Sequence, residues 1–366
     1  MIYFFANFYS DQANGPARFA RELRRHAPAD AVTILSPDVS PRDRRAGVVE
    51  LRQPPSYVRT TLLTQLWRSR YYASVLRRVG ATANDVAVFN NATSGLRTYA
   101  RFPGRAIGFI NDYAKVDLET GHYPVAARQS ARLLRALERR AARSAHRVVA
   151  NSYDLQARIC AAYELPPERV PVVYKGVDFS QVSRRPAGGS PAPPSIFYLK
   201  SDIHVGGLRY LLSAFETCRA ASPGLRLRVG GATRERIERA FGPLPAGVTA
   251  LGRLSAHSVR DEFARATVFC VPALAEALGV ANIEAMAHGV PVVTTDVGGI
   301  PEVTDGGRLA WTCSPGDVAA LARSLMEVLH GGAAVRLRVD EAASHVRAKF
   351  AITRSVARLL EIAGHA

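Results

Sequence analysis

Lysine, cysteine and long apolar runs are all scarce in this 366-residue sequence. Only four of its 48 basic residues are lysines, a bias that a GC-rich genome produces without any functional cause. The four cysteines form no C-x-x-C pair and have no histidine at zinc spacing, which excludes a disulfide scaffold and a zinc motif. No apolar run approaches the ~20 residues that a membrane-spanning helix needs.

Most of the excess positive charge lies in the N-terminal half of the chain. The net charge is +17, and residues 1–180 hold 27 basic and 15 acidic side chains, against 21 and 16 in residues 181–366. The apolar stretch Ile2–Phe8 has no basic residue before it and is too short for the core of a signal peptide. We therefore expect it to be the first β-strand of a cytoplasmic protein.

Apolar β-type runs alternate with helical patterns along the whole chain. This alternation predicts α/β domains, each with a parallel sheet covered by helices on both faces. The stretch Arg184–Ser195 is the richest in proline and glycine and interrupts the pattern. We predict two Rossmann-like doubly wound domains facing a cleft: residues 1–180, a linker at 181–195, residues 196–345, and a C-terminal helix at 346–366 that packs back on the first domain. Strands are predicted at 2–8, 31–35, 86–90, 106–110, 148–150, 196–199, 225–229, 248–251, 268–271 and 291–294.

The stretch Val271–Gly307 carries the most chemical information. A strand ends at Val271–Pro272, a loop contains Glu276, and Gly279 precedes a helix that carries Glu284. A helix N-terminus offers free backbone N–H groups and the positive end of the helix dipole. The spacing predicts an anion or phosphate site with a carboxylate on either side.

This stretch resembles the C-terminal signature of the retaining glycosyltransferases of family 4, which have the GT-B fold. Glu276 and Glu284 match the two glutamates of its E-x7-E pattern, and Leu278 stands where the family usually has phenylalanine. The match continues through Ala285-Met286-Ala287, Gly289, Pro291-Val292-Val293, Gly298-Gly299 and Glu302-Val303. Weaker matches lie at Val148–Ser152, Lys175–Asp178, Gly230–Thr233, Leu251–Arg253 and Asn14-Gly15.

The resemblance implies a nucleotide-sugar donor on the C-terminal domain and an acceptor on the N-terminal domain. Glu284 would accept hydrogen bonds from the two ribose hydroxyls. Glu276 would lie beside the transferred sugar as the main catalytic residue. The backbone N–H groups of Leu278, Gly279 and Val280 would hold the sugar and the diphosphate.

The basic residues that bind the diphosphate in the family are not in their usual places. Where the family has G-R-L-x-x-x-K-G, this sequence reads Tyr198–Gly207, which lacks the arginine and has Gly206-Gly207 for Lys-Gly. Lys200 is the best substitute for the missing charge and Arg209 the second. The donor-binding set implied by the resemblance is completed by Gly15 in the first helix and Arg253, at a strand end that faces the nucleotide base.

The N-terminal domain also departs from the family pattern. Its His-Asp pair reads Asn111-Asp112 here, and asparagine can exchange hydrogen bonds but carries no positive charge. We place Asn111 at the catalytic centre and Asp112 and His122 on the acceptor side. A surface-loop histidine is the alternative for His122.

The sequence contains no D-x-D motif, so we expect a transferase that needs no metal and no cofactor. The resemblance implies retaining transfer of a sugar from a nucleoside diphosphate sugar to a glycan, lipid-linked or small-molecule acceptor in bacterial cell-surface polysaccharide or glycolipid synthesis. Two alternatives remain open: a GT-B epimerase or sugar phosphorylase, and a basic protein that binds polyanions or nucleic acid. No nucleic-acid module is visible, and we expect no nucleic-acid partner.

The segment Tyr57–Arg78 combines helically spaced apolar residues with several arginines. This pattern is typical of a basic amphipathic helix that lies on an anionic membrane. It predicts a peripheral protein at the inner face of the plasma membrane. The alternative is a core-facing helix with solvated arginines.

Overall fold

A computed structural model describes residues 1–10, 15–56, 60–112, 128–182 and 193–364 of the protein. The chain divides into two compact units, Met1–Gly176 with Ile352–Ala366, and Val177–Ala351. The division between them falls before the predicted linker at 181–195, and most of that linker lies outside the described residues.

The first unit contains a parallel sheet in the order β3-β2-β1-β4-β5-β6. Its strands are β1 (Ile2–Phe5), β2 (Val32–Ser36), β3 (Val49–Glu50), β4 (Val86–Phe89), β5 (Arg105–Phe109) and β6 (Arg147–Val149). Its helices include α1 (Gly15–His26), α2 (Pro41–Arg45), α3 (Thr61–Arg78), α4 (Leu96–Tyr99), α5 (Arg128–Ser144) and α6 (Tyr153–Tyr163).

The second unit contains a parallel sheet in the order β12-β11-β10-β7-β8-β9. Its strands are β7 (Ser195–Leu199), β8 (Arg226–Gly230), β9 (Val248–Gly252), β10 (Val268–Val271), β11 (Val292–Thr295) and β12 (Trp311–Cys313). Its helices are α7 (Leu208–Ala221), α8 (Arg234–Phe241), α9 (Ala256–Arg265), α10 (Val280–Ala287), α11 (Ile300–Thr304), α12 (Val318–His330) and α13 (Ala333–Lys349). The last helix of the chain, α14 (Ile352–Ala363), belongs to the first unit.

The first strand shows why its sequence is apolar at consecutive positions. Successive side chains of a strand point to opposite faces of the sheet. Phe4 packs against Phe19 of α1, with ring centroids 6.3 Å apart, whereas Phe5 stacks on Tyr72 of α3 at 4.8 Å and on Phe89 at 4.9 Å. Both faces are therefore covered by helices, as in the predicted doubly wound sheet.

The strand order of each sheet reverses at one point. The reversal lies between β1 and β4 in the first unit and between β7 and β10 in the second. In open α/β sheets, ligands bind outside the carboxyl ends of the strands at such a point. These two parallel sheets confirm the predicted α/β class with two Rossmann-like domains.

The basic helix α3 does not present all of its arginines to solvent. Residues 57–59 of the predicted segment lie outside the described residues. Arg68, near the middle of α3, is only 8% exposed, and in the C-terminal half Tyr72 and Leu76 are buried in the core. In the N-terminal half, Leu63 and Leu66 are exposed. The helix thus combines a core-facing stretch with an exposed apolar one.

Within the described residues, no single helix has the length and the apolar composition needed to cross a membrane. Taken together, α12 and α13 meet the same test of length and composition, but they join at a bend of 100°.

Candidate active site

Two oppositely charged side chains meet where the strand order of the second unit reverses. Lys200 follows β7 directly, and Glu276 lies in the loop after β10. Lys200 Nζ donates a hydrogen bond to Glu276 Oε2 at 2.5 Å, and the two side chains are 21% and 23% exposed. This ion pair is partly withdrawn from water at the sheet edge where such folds bind ligands.

The surroundings of Glu276 keep its carboxylate charged. Burial by itself would raise the pKa of Glu276. The charge and hydrogen bond of Lys200, together with the backbone N–H groups of Leu278 and Gly279, outweigh burial and hold the pKa below its usual value. Glu276 is therefore an anion at neutral pH, held between an ammonium group and the backbone N–H groups of Ala277, Leu278 and Gly279.

Helix α10 begins beside Glu276 through a left-handed turn. Gly279 is the residue before the helix and has φ of 87°, a conformation that favours glycine. A Cβ atom at this position would lie only 3.0 Å from Asn282 Nδ2. Leu278 is buried, Val280 opens the helix, and the preceding loop directs its backbone N–H groups toward the carboxylate.

Neighbouring strands hold the Glu276 loop in place. Thr294 Oγ1 donates to the Val271 carbonyl oxygen at 2.9 Å, and Thr295 Oγ1 donates to that of Ala273 at 2.6 Å. The Gly299 N–H donates to the Glu276 carbonyl oxygen at 3.1 Å. Gly299, the second glycine of the pair at 298–299, therefore supports the backbone of the acidic residue.

The structure gives a reason for the glycine where family 4 has lysine. A Cβ atom at Gly206 would lie 2.0 Å from the Tyr198 hydroxyl oxygen and 3.0 Å from Lys200 Cδ. Tyr198 is fully buried, and its hydroxyl has no hydrogen-bond partner among the described residues. A side chain at position 206 would therefore clash with Tyr198, and Lys200 after β7 brings a positive charge to this edge instead.

The remaining donor-side candidates lie on several elements. Glu284 is partly exposed on α10, and Arg209 is exposed in the first turn of α7. Arg253 is exposed directly after β9, and Gly15 is the first residue of α1 in the other unit. Contacts in the structure join Lys200, Glu276, Leu278 and Gly279, and the participation of the other candidates stays a prediction.

The first unit presents a row of asparagines at the carboxyl ends of three neighbouring strands. Asn111 Nδ2 donates to the Asn90 carbonyl oxygen at 2.7 Å, and Asn151 Nδ2 donates to the Asn111 carbonyl oxygen at 3.0 Å. The Oδ1 atoms of all three are buried and have no hydrogen-bond partner among the described residues. These contacts occupy the donor of Asn111 and leave its oxygen as the available acceptor.

Sequence reasoning identified Asn111 but missed Asn90 and Asn151. The signal was present, because each of the three asparagines follows its strand by one or two residues. Asp112 is exposed beside Asn111. His122 lies outside the described residues.

Two family models match the chain, one in each half. Residues 13–181 match the model described as "Glycosyltransferase Family 4", and residues 194–331 match that described as "Glycosyl transferases group 1". These two matches agree with the position of the signature around Glu276 and with the two units of the structure.

Curated proteins and solved structures with related sequences or folds are glycosyltransferases and synthases. The D-inositol 3-phosphate glycosyltransferase of Streptomyces scabiei is 30% identical over 206 residues, which are 50% of this chain and 46% of that protein. The chain therefore spans about half the length of this curated relative. The sucrose-phosphate synthase of Thermosynechococcus elongatus has a TM-score of 0.80 at 17% identity, covering 99% of this chain and 97% of that one.

A solved structure of Anabaena HepE in complex with UDP and glucose has a TM-score of 0.76 at 17% identity, with 100% of this chain and 99% of that one covered. Similarity at this level of identity shows the fold. The fold is that of the two-domain GT-B glycosyltransferases. The chain carries two glycosyltransferase domains, of which the N-terminal one matches the family 4 model.

Proposed function

We propose that the protein transfers a sugar from a nucleoside diphosphate sugar to a hydroxyl group of a glycan, lipid-linked or small-molecule acceptor, with retention of the anomeric configuration and without a metal ion. The observation that supports this best is the Lys200–Glu276 pair at the strand reversal of the second unit. The matches to two glycosyltransferase models and the solved complexes of HepE with UDP and UDP-glucose support a nucleotide-sugar donor.

In the proposed donor complex, the diphosphate lies at the N-terminus of α10. The Leu278 and Gly279 N–H groups and Lys200 Nζ are the positive groups that bind it there, and all three act on Glu276 in the structure. A diphosphate at this position takes over these donors from the carboxylate. Glu276 is then released toward the sugar, where it accepts hydrogen bonds from hydroxyl groups.

The proposed reaction breaks the bond between the anomeric carbon and the phosphate oxygen. The acceptor oxygen forms a new bond to this carbon on the same face, and its proton passes to the leaving phosphate oxygen. Positive charge develops on the sugar ring and negative charge on the diphosphate. The Glu276 carboxylate stabilises the former, and Lys200 with the α10 N-terminus stabilises the latter.

On the acceptor side, we propose that the asparagine row receives hydroxyl groups. Asn90, Asn111 and Asn151 each keep an amide oxygen without a partner among the described residues, and an amide oxygen accepts hydrogen bonds from hydroxyls. Asn111 replaces the family histidine, so it contributes hydrogen bonding without positive charge. We keep Asp112 and His122 as acceptor-side candidates.

The proposal has two alternatives that experiment separates from it. A GT-B epimerase or sugar phosphorylase would use the same nucleotide or phosphate site but would form no glycoside from a nucleotide sugar and an acceptor alcohol. A polyanion-binding protein would bind nucleic acid through its net charge of +17 and release no nucleotide. The Lys200–Glu276 pair favours the transferase over a polyanion-binding protein, because a site for polyanions gains nothing from a partly buried carboxylate.

We expect one nucleoside diphosphate in a thermal-shift panel to raise the unfolding temperature clearly above the others. A ligand at about 100 times its Kd adds about 2.7 kcal/mol to the free energy of unfolding.

With the matching nucleotide sugar as donor, NMR of the product should show that the transferred sugar keeps the donor's anomeric configuration. An inverted product would overturn the proposed mechanism, and the same stabilisation by every polyanion tested would favour the binding protein.

Replacing Glu284 by glutamine is expected to weaken nucleoside diphosphate binding without unfolding the protein. Charge-assisted hydrogen bonds to the ribose diol are worth about 1.5–3 kcal/mol. Titration calorimetry measures the change, and the matched control is Glu216→Gln, which neutralises an exposed glutamate on α7. Equal affinities in both variants would remove Glu284 from the donor site.

We further propose that the basic N-terminal unit makes a peripheral contact with an anionic membrane, where lipid-linked acceptors are found. The exposed Leu63 and Leu66 on α3 support this contact, since exposed leucines beside arginines suit a lipid surface.

A further inference from the structure

A pocket of about 250 Å³ lies between α3, α4 and the segment after α4 in the first unit. Four arginines line it: Arg70 and Arg77 from α3, Arg97 from α4, and Arg101. None of the four has a carboxylate partner among the described residues, and no acidic side chain lines the pocket. Four uncompensated guanidinium groups around one cavity attract an anion.

The pocket is lined by apolar side chains and by one hydroxyl group that has no hydrogen-bond partner among the described residues. Leu76 and Phe102 are among its apolar lining residues, and Leu76 is 2% exposed. Thr98 also lines the pocket, is 1% exposed, and its hydroxyl has no hydrogen-bond partner among the described residues. A buried hydroxyl without a partner costs free energy, which a ligand oxygen at this position would recover.

We infer that this pocket binds the phosphomonoester headgroup of an anionic lipid. A phosphomonoester carries close to two negative charges at neutral pH and three free oxygens, and guanidinium groups bind such oxygens in pairs. The volume is below the ~300–1,000 Å³ of pockets that enclose a drug-sized ligand, so it admits a headgroup and the first carbon atoms of its attachment. This inference deepens the proposed membrane contact and is independent of sugar transfer.

The position of the pocket on α3 argues for a lipid rather than a soluble phosphate. Leu63, Leu66, Arg70, Ala73 and Arg77 are spaced by three or four residues and therefore share one stripe of the helix. The two leucines are exposed, and the other three residues line the pocket. A lipid would place its phosphate in the pocket while the leucines enter the apolar layer of the membrane.

The test is co-sedimentation with three kinds of vesicle: neutral phosphatidylcholine, and phosphatidylcholine with phosphatidylserine or with phosphatidic acid at matched surface charge. We expect about tenfold tighter binding to the phosphatidic acid vesicles, from additional charge-assisted contacts. The double variant Arg97→Gln/Arg101→Gln should lose this preference. The matched control Arg42→Gln/Arg45→Gln removes two exposed charges of α2, outside the pocket, and should keep the preference.

A second variant, Ala73→Phe, fills the pocket without changing the charge. It should remove the preference for phosphatidic acid while binding to phosphatidylserine vesicles remains, with circular dichroism as the folding check. Equal binding to both anionic vesicles would overturn the pocket inference and leave the membrane contact standing. No binding to any vesicle would overturn both the pocket inference and the membrane contact. If inorganic phosphate competes for the pocket as well as phosphatidic acid does, the ligand is a soluble phosphate and not a lipid.

Discussion

Replacing Glu276 by alanine is expected to lower kcat by about 10²–10³, the usual effect of removing one electrostatic stabiliser from an active site. The affinity for the nucleoside diphosphate should stay the same or rise. In the structure, Lys200 Nζ and the N–H groups of Ala277, Leu278 and Gly279 donate to the carboxylate, and its removal makes these donors available to phosphate. A large loss in kcat with unchanged or tighter nucleotide binding is the mark of a group that acts in the transition state.

Initial rates at saturating donor and calorimetry with the nucleoside diphosphate measure the two quantities. Glu216→Ala is the matched control, since it removes an exposed glutamate from α7 of the same unit and should leave both unchanged. Loss of nucleotide affinity in Glu276→Ala, with kcat intact, would assign this carboxylate to ground-state binding. A retained kcat and a retained affinity would exclude it from the site.

The apolar pattern of the sequence predicted the positions of most strands closely. The strand at Val268–Val271 was predicted with its observed bounds, because four consecutive apolar residues suit a strand buried on both faces. The prediction at 2–8 ran three residues too far, since Ala6 and Phe8 continue the apolar run after β1 has ended at Phe5. Val49–Glu50 and Trp311–Cys313 were missed because strands of two or three residues have no period to detect.

The sequence analysis assigned no helix to residues 153–163, although a local signal was present. Helix α6 begins after Ser152, whose hydroxyl accepts a hydrogen bond from the Leu155 N–H. A serine before a helix with an acidic residue in its first turn, here Asp154, is a common helix start. The sequence interpretation used Val148–Ser152 only as a strand end, so the cap was not applied.

The charged pair at the candidate site was beyond sequence reasoning for a different reason. Lys200 and Glu276 are 76 residues apart, and they meet because β7 and β10 are neighbours in the sheet. The resemblance predicted that Lys200 acts on phosphate but not that it is paired with Glu276 in the absence of a donor. Strand order is a long-range property, and the alternation of strands and helices leaves it open.

Replacing Lys200 by methionine is expected to weaken nucleoside diphosphate binding about 10- to 100-fold, as lost charge-assisted contacts of about 1.5–3 kcal/mol predict. It should also raise the pKa of Glu276, because burial then acts against a weaker set of stabilising groups. In the wild type, this carboxyl has a lowered pKa, so its contribution to stability is present above the ordinary carboxyl pKa. The contribution is lost as the pH falls through the lowered value in the folded protein.

The difference in free energy of unfolding between wild type and Lys200→Met should therefore be full at pH 7 and shrink as the solution is acidified through the pKa of Glu276. Chemical denaturation from pH 7 down to about pH 3 measures it, since an ordinary carboxyl pKa is about 4.3. Arg234→Met is the matched control, because it breaks an exposed pair with Glu238, 3.6 Å away, and exposed pairs contribute about 0–1 kcal/mol. A difference that does not change with pH would show that the methionine variant acts through packing and not through the charge of Glu276. If the nucleotide affinity is unchanged in Lys200→Met, the Lys200 ammonium group of the wild type interacts with the Glu276 carboxylate alone. Another basic residue then binds the diphosphate, and Arg209 is the next to test.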